Sequence, residues 1–116
     1  MRYFFISFIA SLILLAGCTP SEKFVPIEKC LAEKGVKMYG VEWCPVCQNQ
    51  KKIFNSKLEG VYVECADNPQ LCLDKNIEGY PTWIINEQKH LGLMQPEKLA
   101  ELAGCSCSCT KEICSC

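Results

Sequence analysis

Trp43-Cys44-Pro45-Val46-Cys47, at the start of a predicted helix, and Tyr80-Pro81-Thr82, at the start of a predicted strand, are the stretches that decide how this chain folds. Two thiols at this spacing on a helix start can close a disulfide across one turn. The first of them faces backbone N–H groups with no intrahelical partner and the positive end of the helix dipole. That setting favours thiolate over thiol, and the thiolate is the attacking species. The pattern points to reversible thiol–disulfide exchange. Half a zinc site has the same spacing, but no second C-x-x-C or H-x-x-H lies within residues 26–104.

Outward from the pair, the pattern of apolar residues sets the elements. Residues 36–41 read as a strand, with Val36, Met38 and Tyr39 supplying apolar bulk. Residues 44–58 read as a helix that buries Val46, Gln50, Ile53, Phe54 and Leu58 and turns Lys51, Lys52 and Lys57 to solvent. A short β-branched strand follows at 61–65, a helical turn or two at 69–75 and a third strand at 81–85. Residues 86–89 are expected to turn into a weak fourth strand at 91–94. Before the first strand, residues 27–34 carry helical spacing and stop at Gly35, a natural left-handed cap. Pro96 opens a last helix in which Leu99 and Leu102 face inward and Gly104 ends it. The order is α-β-α-β-α-β-β-α, an α/β chain without internal repeats.

Length and charge limit the remaining options. The chain has 116 residues, room for one domain, and its 49% hydrophobic content is inflated by the first stretch and by 11 cysteines. Net charge is −1 with no stripe of Lys or Arg, so neither a nucleic-acid footprint nor a polybasic membrane patch is present.

The N-terminus reads as an export signal. Arg2 precedes an apolar run from Tyr3 to Ala16, which at about 14 residues suits a signal peptide and falls short of a comfortable bilayer span. Leu15-Ala16-Gly17-Cys18 resembles the lipobox of prokaryotic lipoproteins. That resemblance implies a signal over residues 1–17, lipidation of Cys18, a tether over 18–25 and attachment to a membrane outside the cytoplasm. A plain secretory signal and an uncleaved anchor compete with it. Export permits disulfides, and ten cysteines remain once Cys18 is set aside, an even number that suits pairing.

The element order, with the cysteine pair at the first strand-to-helix junction and Tyr80-Pro81 entering the third strand, resembles the thioredoxin fold: a central mixed four-stranded sheet flanked by helices. More narrowly, residues 37–54, Tyr62-Val63-Glu64-Cys65, Leu71-Cys72, residues 77–83 and residues 96–102 are similar to the thioredoxin-like domain associated with bacterial vitamin K epoxide reductase homologues. The resemblance covers about residues 27–104 and places a thioredoxin-like domain at 26–104. It implies a protein thiol–disulfide oxidoreductase that exchanges disulfides with exported protein thiols and is re-oxidised by a quinone-linked membrane partner. No cofactor beyond the redox-active disulfide is required. Cys44 would be the nucleophile and Cys47 the resolving thiol. Pro81 resembles the cis-proline that faces such a pair, with Tyr80 offering its backbone to an extended substrate and Trp43 shielding the sulfurs. Val46 offers no charge where oxidising members carry His, and Met38 stands where ordinary thioredoxins bury a carboxylate. A mild couple is expected, about −150 to −260 mV, and the direction of electron flow stays open.

The other cysteines allow several readings. Cys65 and Cys72 are close enough to form a structural or shuttle disulfide, with two separate buried thiols as the alternative. Residues 105–116 form a cysteine-rich tail in which Cys105, Cys107, Cys109, Cys114 and Cys116 could hold a soft ion such as Cu(I) or Zn(II). The same thiols could instead be oxidised, one of them paired to Cys30, or relay electrons to Cys44–Cys47. His90 and Glu42 read as solvated residues, and Tyr62 and Trp83 as core or groove lining. Two function classes result: an oxidoreductase, and a soft-metal-binding or metal-delivery lipoprotein on the same scaffold using Cys44, Cys47 and the tail.

Overall fold

The computed structural model describes residues 26–106, 108–109 and 114–115. The signal, Cys18 and the tether lie outside that range, as do Cys107 and Cys116. Helix α1 (Ile27–Glu33) leads into strand β1 (Lys37–Gly40), helix α2 (Pro45–Ile53) and strand β2 (Tyr62–Glu64). Helix α3 (Pro69–Asp74), strands β3 (Thr82–Ile85) and β4 (Gln88–Leu91) and helix α4 (Pro96–Ala103) complete the main body. The sheet runs β2-β1-β3-β4, with β1 parallel to β2 and antiparallel to β3, and β3 antiparallel to β4. This mixed four-stranded sheet flanked by helices is a thioredoxin-like architecture.

Strand alternation divides the core between the two faces of the sheet. Met38, Trp83 and Ile85 belong to the larger cluster, with Ile27 and Leu31 of α1, Cys47 of α2, Phe54, and Leu99, Ala100 and Ala103 of α4. Tyr39 lies on the opposite face with Val41, Cys65 and Cys72, and Val63 and Ile84 pack against that group. Two disulfides staple the body: Cys30–Cys105 ties α1 to the end of α4, and Cys65–Cys72 ties the end of β2 to α3. Cys105 is therefore part of the packed body and leaves the set of tail thiols available to a metal.

Three local expectations need correction. Helix α2 ends at Ile53 rather than 58, because Asn55 and Ser56 take left-handed backbone at φ 50° and 61°. Val46 is exposed, not buried, because it sits at the helix tip, where Cys47 takes the inward position. Strand β4 begins at Gln88 rather than 91, since the turn is only Asn86-Glu87, both at positive φ, and Ile85 pairs directly with Gln88. Such two-residue turns match the twist of the flanking strands and normally signal themselves with glycine, which this one lacks. Beyond Gly104, which caps α4 at φ 74°, short strands β5 (Ser108–Cys109) and β6 (Cys114–Ser115) pair antiparallel.

Candidate active site

The chain leaves β1 at Gly40 and turns through Val41 to reach Cys44, whose N–H donates to the Val41 carbonyl at 3.2 Å. Cys44 is the N-cap of α2, with extended backbone, and Pro45 occupies the first turn, where its missing N–H costs little. The Cys44 Sγ accepts the Cys47 N–H at 3.4 Å, so the sulfur does what an N-cap oxygen does elsewhere. Cys44 is partly exposed, Cys47 is fully buried, and both are free thiols.

Across from the pair, the Tyr80–Pro81 bond is cis, and the Cys44 thiol donates to the Tyr80 carbonyl at 3.8 Å. Thr82 Oγ1 donates to the Gly79 carbonyl at 2.7 Å, and the Gly92 N–H to the Pro81 carbonyl at 2.8 Å, so the turn is held at both ends. Residues separated by 36 positions thus meet at one sulfur. Trp43, Val46 and Tyr80 all present exposed apolar side chains, with Trp43 74% exposed, so it is not core filler.

Electrostatics separate the two thiols. Partial burial pushes the Cys44 thiol up, but the hydrogen bonds from the Cys47 thiol and from the backbone of Cys47 and Val46 outweigh it, and its pKa falls below the ordinary thiol range. Burial comes first for Cys47 too; together with its hydrogen bond to Cys44 it pushes that thiol up to about 11. The partly exposed sulfur is the more acidic of the two, and its buried partner holds its proton more tightly.

Residues without a marked role in the sequence complete the setting. Gly40 is placed so that a Cβ there would meet Cys47 Sγ at 2.9 Å and Tyr62 Cε2 at 3.1 Å. A glycine inside a strand is a known sign of close approach, so this signal was present in the sequence. The Tyr62 hydroxyl donates to Glu64 Oε2 at 2.7 Å, and the Lys51 ammonium lies 3.8 Å from the centre of the Tyr62 ring. Gln50, fully buried one turn beyond Cys47, accepts from the Met94 N–H at 2.7 Å and from Trp83 Nε1 at 3.4 Å, and donates to the Met94 carbonyl at 2.9 Å. Among the described residues no group of three or more His, Cys, Asp or Glu is arranged to hold a metal ion, and no helix is long and apolar enough to cross a membrane.

Fold and site together define a thioredoxin-like protein with a C-x-x-C pair at a helix N-cap facing a cis-proline. No protein-family model matches the chain. Over 92 residues it is 38% identical to the thiol-disulfide oxidoreductase LTO1 of Arabidopsis thaliana, a match covering 71% of this chain and 24% of that protein. The chain thus corresponds to about a quarter of its relative's length.

Proposed function

We propose that this chain is a membrane-anchored, extracytoplasmic thiol–disulfide oxidoreductase acting on protein dithiols through Cys44 and Cys47. The observation that carries the reading is the Cys44 sulfur itself, an N-cap acceptor of the Cys47 N–H set against the Tyr80 carbonyl. The likeness to a named thiol-disulfide oxidoreductase supports the redox part of the reading.

In the oxidising direction a substrate thiolate attacks Cys44 of the Cys44–Cys47 disulfide. The sulfur–sulfur bond breaks, its electron pair stays on Cys47, and a mixed disulfide to Cys44 forms. A second substrate thiolate then attacks the substrate sulfur of that mixed disulfide and releases Cys44 as the better leaving group. Trp43, Tyr80 and Pro81 form the surface on which an extended substrate segment lies. The reduced pair returns its electrons to a membrane partner similar to vitamin K epoxide reductase homologues, and lipid on Cys18 raises the effective concentration for that encounter.

Trapping tests this reading. Cys47→Ser removes the resolving thiol, so mixed disulfides between Cys44 and exported proteins should accumulate on non-reducing gels. Their absence in cells that express the variant would contradict it. Globomycin-sensitive processing and loss of membrane association in Cys18→Ser test the anchor separately.

A second reading is favoured by one observation in the tail, where the backbone register sets Cys109 opposite Cys114. Cys107 and Cys116 stand two residues outward from them in sequence. Under this reading the tail takes up a soft ion, Zn(II) or Cu(I), for which thiolates are the preferred donors. Stoichiometric metal that survives Cys44→Ser and disappears in Cys109→Ser/Cys114→Ser would support it; metal-free full-length protein after anaerobic loading would remove it.

A further inference from the structure

Exchange requires the buried sulfur to carry negative charge twice, as attacking group when a mixed disulfide is resolved and as leaving group when Cys44 is attacked. Desolvation opposes that charge, and the Cys47 thiol is pushed up to about 11, chiefly by burial. Met38, fully buried in the same cluster as Cys47, brings no carboxylate to this side of the sheet. With the thiol pushed that far up, a cation beside it multiplies the small thiolate fraction that carries the step near neutral pH.

The surroundings of Cys47 identify one. Lys51 lies one turn beyond Cys47 on α2, and residues four apart on a helix are neighbours. Its ammonium is seated on the Tyr62 ring, and the Tyr62 ring edge and the Cys47 sulfur border the same gap left by the missing side chain of Gly40. Glu64 holds the Tyr62 hydroxyl and so fixes the ring that seats the cation. We propose that Lys51, held by the Tyr62–Glu64 pair, is the positioning cation for the Cys47 thiolate and sets the rate at which the buried sulfur enters and leaves exchange. The inference rests on the oxidoreductase reading above.

The titratable groups acting on this sulfur are few. After burial, Cys44 raises its pKa through a hydrogen bond and through charge, whereas the Val41 backbone lowers it and, to a smaller extent, so does the charge of Lys51. Tyr62 stays protonated, pushed upward by burial and by its bond to Glu64, with Glu42 adding negative charge from the loop. Lys51 is thus the sole side-chain cation among the groups that shift Cys47.

In the resolving step the Cys47 proton leaves to water, and its thiolate attacks Cys44. The Cys44–Cys47 bond forms as the bond from Cys44 to the substrate sulfur breaks, and the departing thiolate keeps the electron pair. In reverse, Cys47 leaves with the electron pair beside the same ammonium and takes its proton from water.

A chromogenic aryl disulfide reads the two thiols separately. With the reduced protein, Cys44 releases one aryl thiolate, and Cys47 releases the second when it closes the disulfide. Lys51→Met keeps the stem and removes the charge. We expect the second release to slow roughly three- to tenfold at neutral pH, since each unit of thiol pKa is tenfold in thiolate fraction there, while the first stays within about twofold. The pH profile of the second release should move upward. Lys51→Arg should restore it, and Tyr62→Leu, which removes the seat, should slow it in the same direction. An unchanged second release in Lys51→Met, or equal slowing of both, overturns the inference. A wild-type protein that never gives the second release overturns the oxidoreductase reading instead.

Discussion

Substituting Gly40 by alanine tests how closely the strand beneath the pair is fitted to it. The new Cβ would lie 2.9 Å from Cys47 Sγ, 3.5 Å from Cys47 Cβ and 3.1 Å from Tyr62 Cε2. Carbon contacts are most favourable near 3.5–4.0 Å, so the sulfur or the ring must move by several tenths of an ångström. Neither is free to do so, because Cys47 is fixed on α2 and Tyr62 is held by Glu64 and Lys51. Overpacking of this kind costs about 1–3 kcal/mol, and each kcal/mol lowers Tm by roughly 4–8 °C in a domain of this size. The assay is denaturant unfolding of the reduced protein alongside the two-step aryl-thiolate release. Gly40→Ala should lose stability and also slow the second release. Gly35→Ala is the control, with φ 71° but no atom within 4 Å of its Cβ. It should lose about 1 kcal/mol from backbone strain alone and leave both releases unchanged. A Gly40→Ala protein within about 0.5 kcal/mol of wild type, with normal second release, would mean that the strand is not closely fitted to Cys47.

Other outcomes follow from the same contacts. Gln50→Ala strands the Met94 N–H and carbonyl and Trp83 Nε1, and should cost about 2–4 kcal/mol in urea unfolding; a loss below about 1 kcal/mol would show that water replaces the amide. Replacing both Cys30 and Cys105 by alanine opens a loop with a sequence separation of 75 and should cost about 4 kcal/mol on the chain-entropy account, with the aryl-thiolate release intact below Tm. The dithiol form should change stability with pH in two opposite limbs. Cys44, held below its ordinary value of 9.0, contributes stability present above that value and lost as pH falls through its own lower pKa. Cys47 contributes stability present below 9.0 and lost as pH rises through about 11. Stability should therefore rise toward pH 9 and fall beyond it, with the rising limb flattened in Cys44→Ser; an unchanged rising limb in that variant would count against the thiolate assignment.

Much of this arrangement was legible in the residues. The amphipathic spacing of 44–58, the caps at Gly35 and Gly104 and the β-branched runs are local signals, and they gave the element order. Gln50 was readable as buried because it shares a helix face with Phe54. The rest depended on tertiary context. Asn86-Glu87 makes a tight turn without glycine, so strand β4 lay earlier than its hydrophobicity indicated. Val46 lost its inward place to a cysteine, a residue whose small side chain carries little weight in periodicity. The role of Gly40 required knowing which sulfur stood above it. The link between Lys51 and Tyr62 joins a helix to a strand, and neither residue signals the other in sequence. Cys30 and Cys105 could be counted as an available pair, but only the meeting of α1 with the end of α4 joins them.

Whether Cys44 and Cys47 form a reversible two-electron couple is read by a redox titration in glutathione buffers with mass analysis of trapped thiols. One transition is expected, about −150 to −260 mV, in which a disulfide forms between Cys44 and Cys47 while Cys30–Cys105 and Cys65–Cys72 stay oxidised throughout, and which vanishes in Cys44→Ser. A titration in which Cys44 and Cys47 never join, or in which the transition survives that substitution, would contradict such a couple.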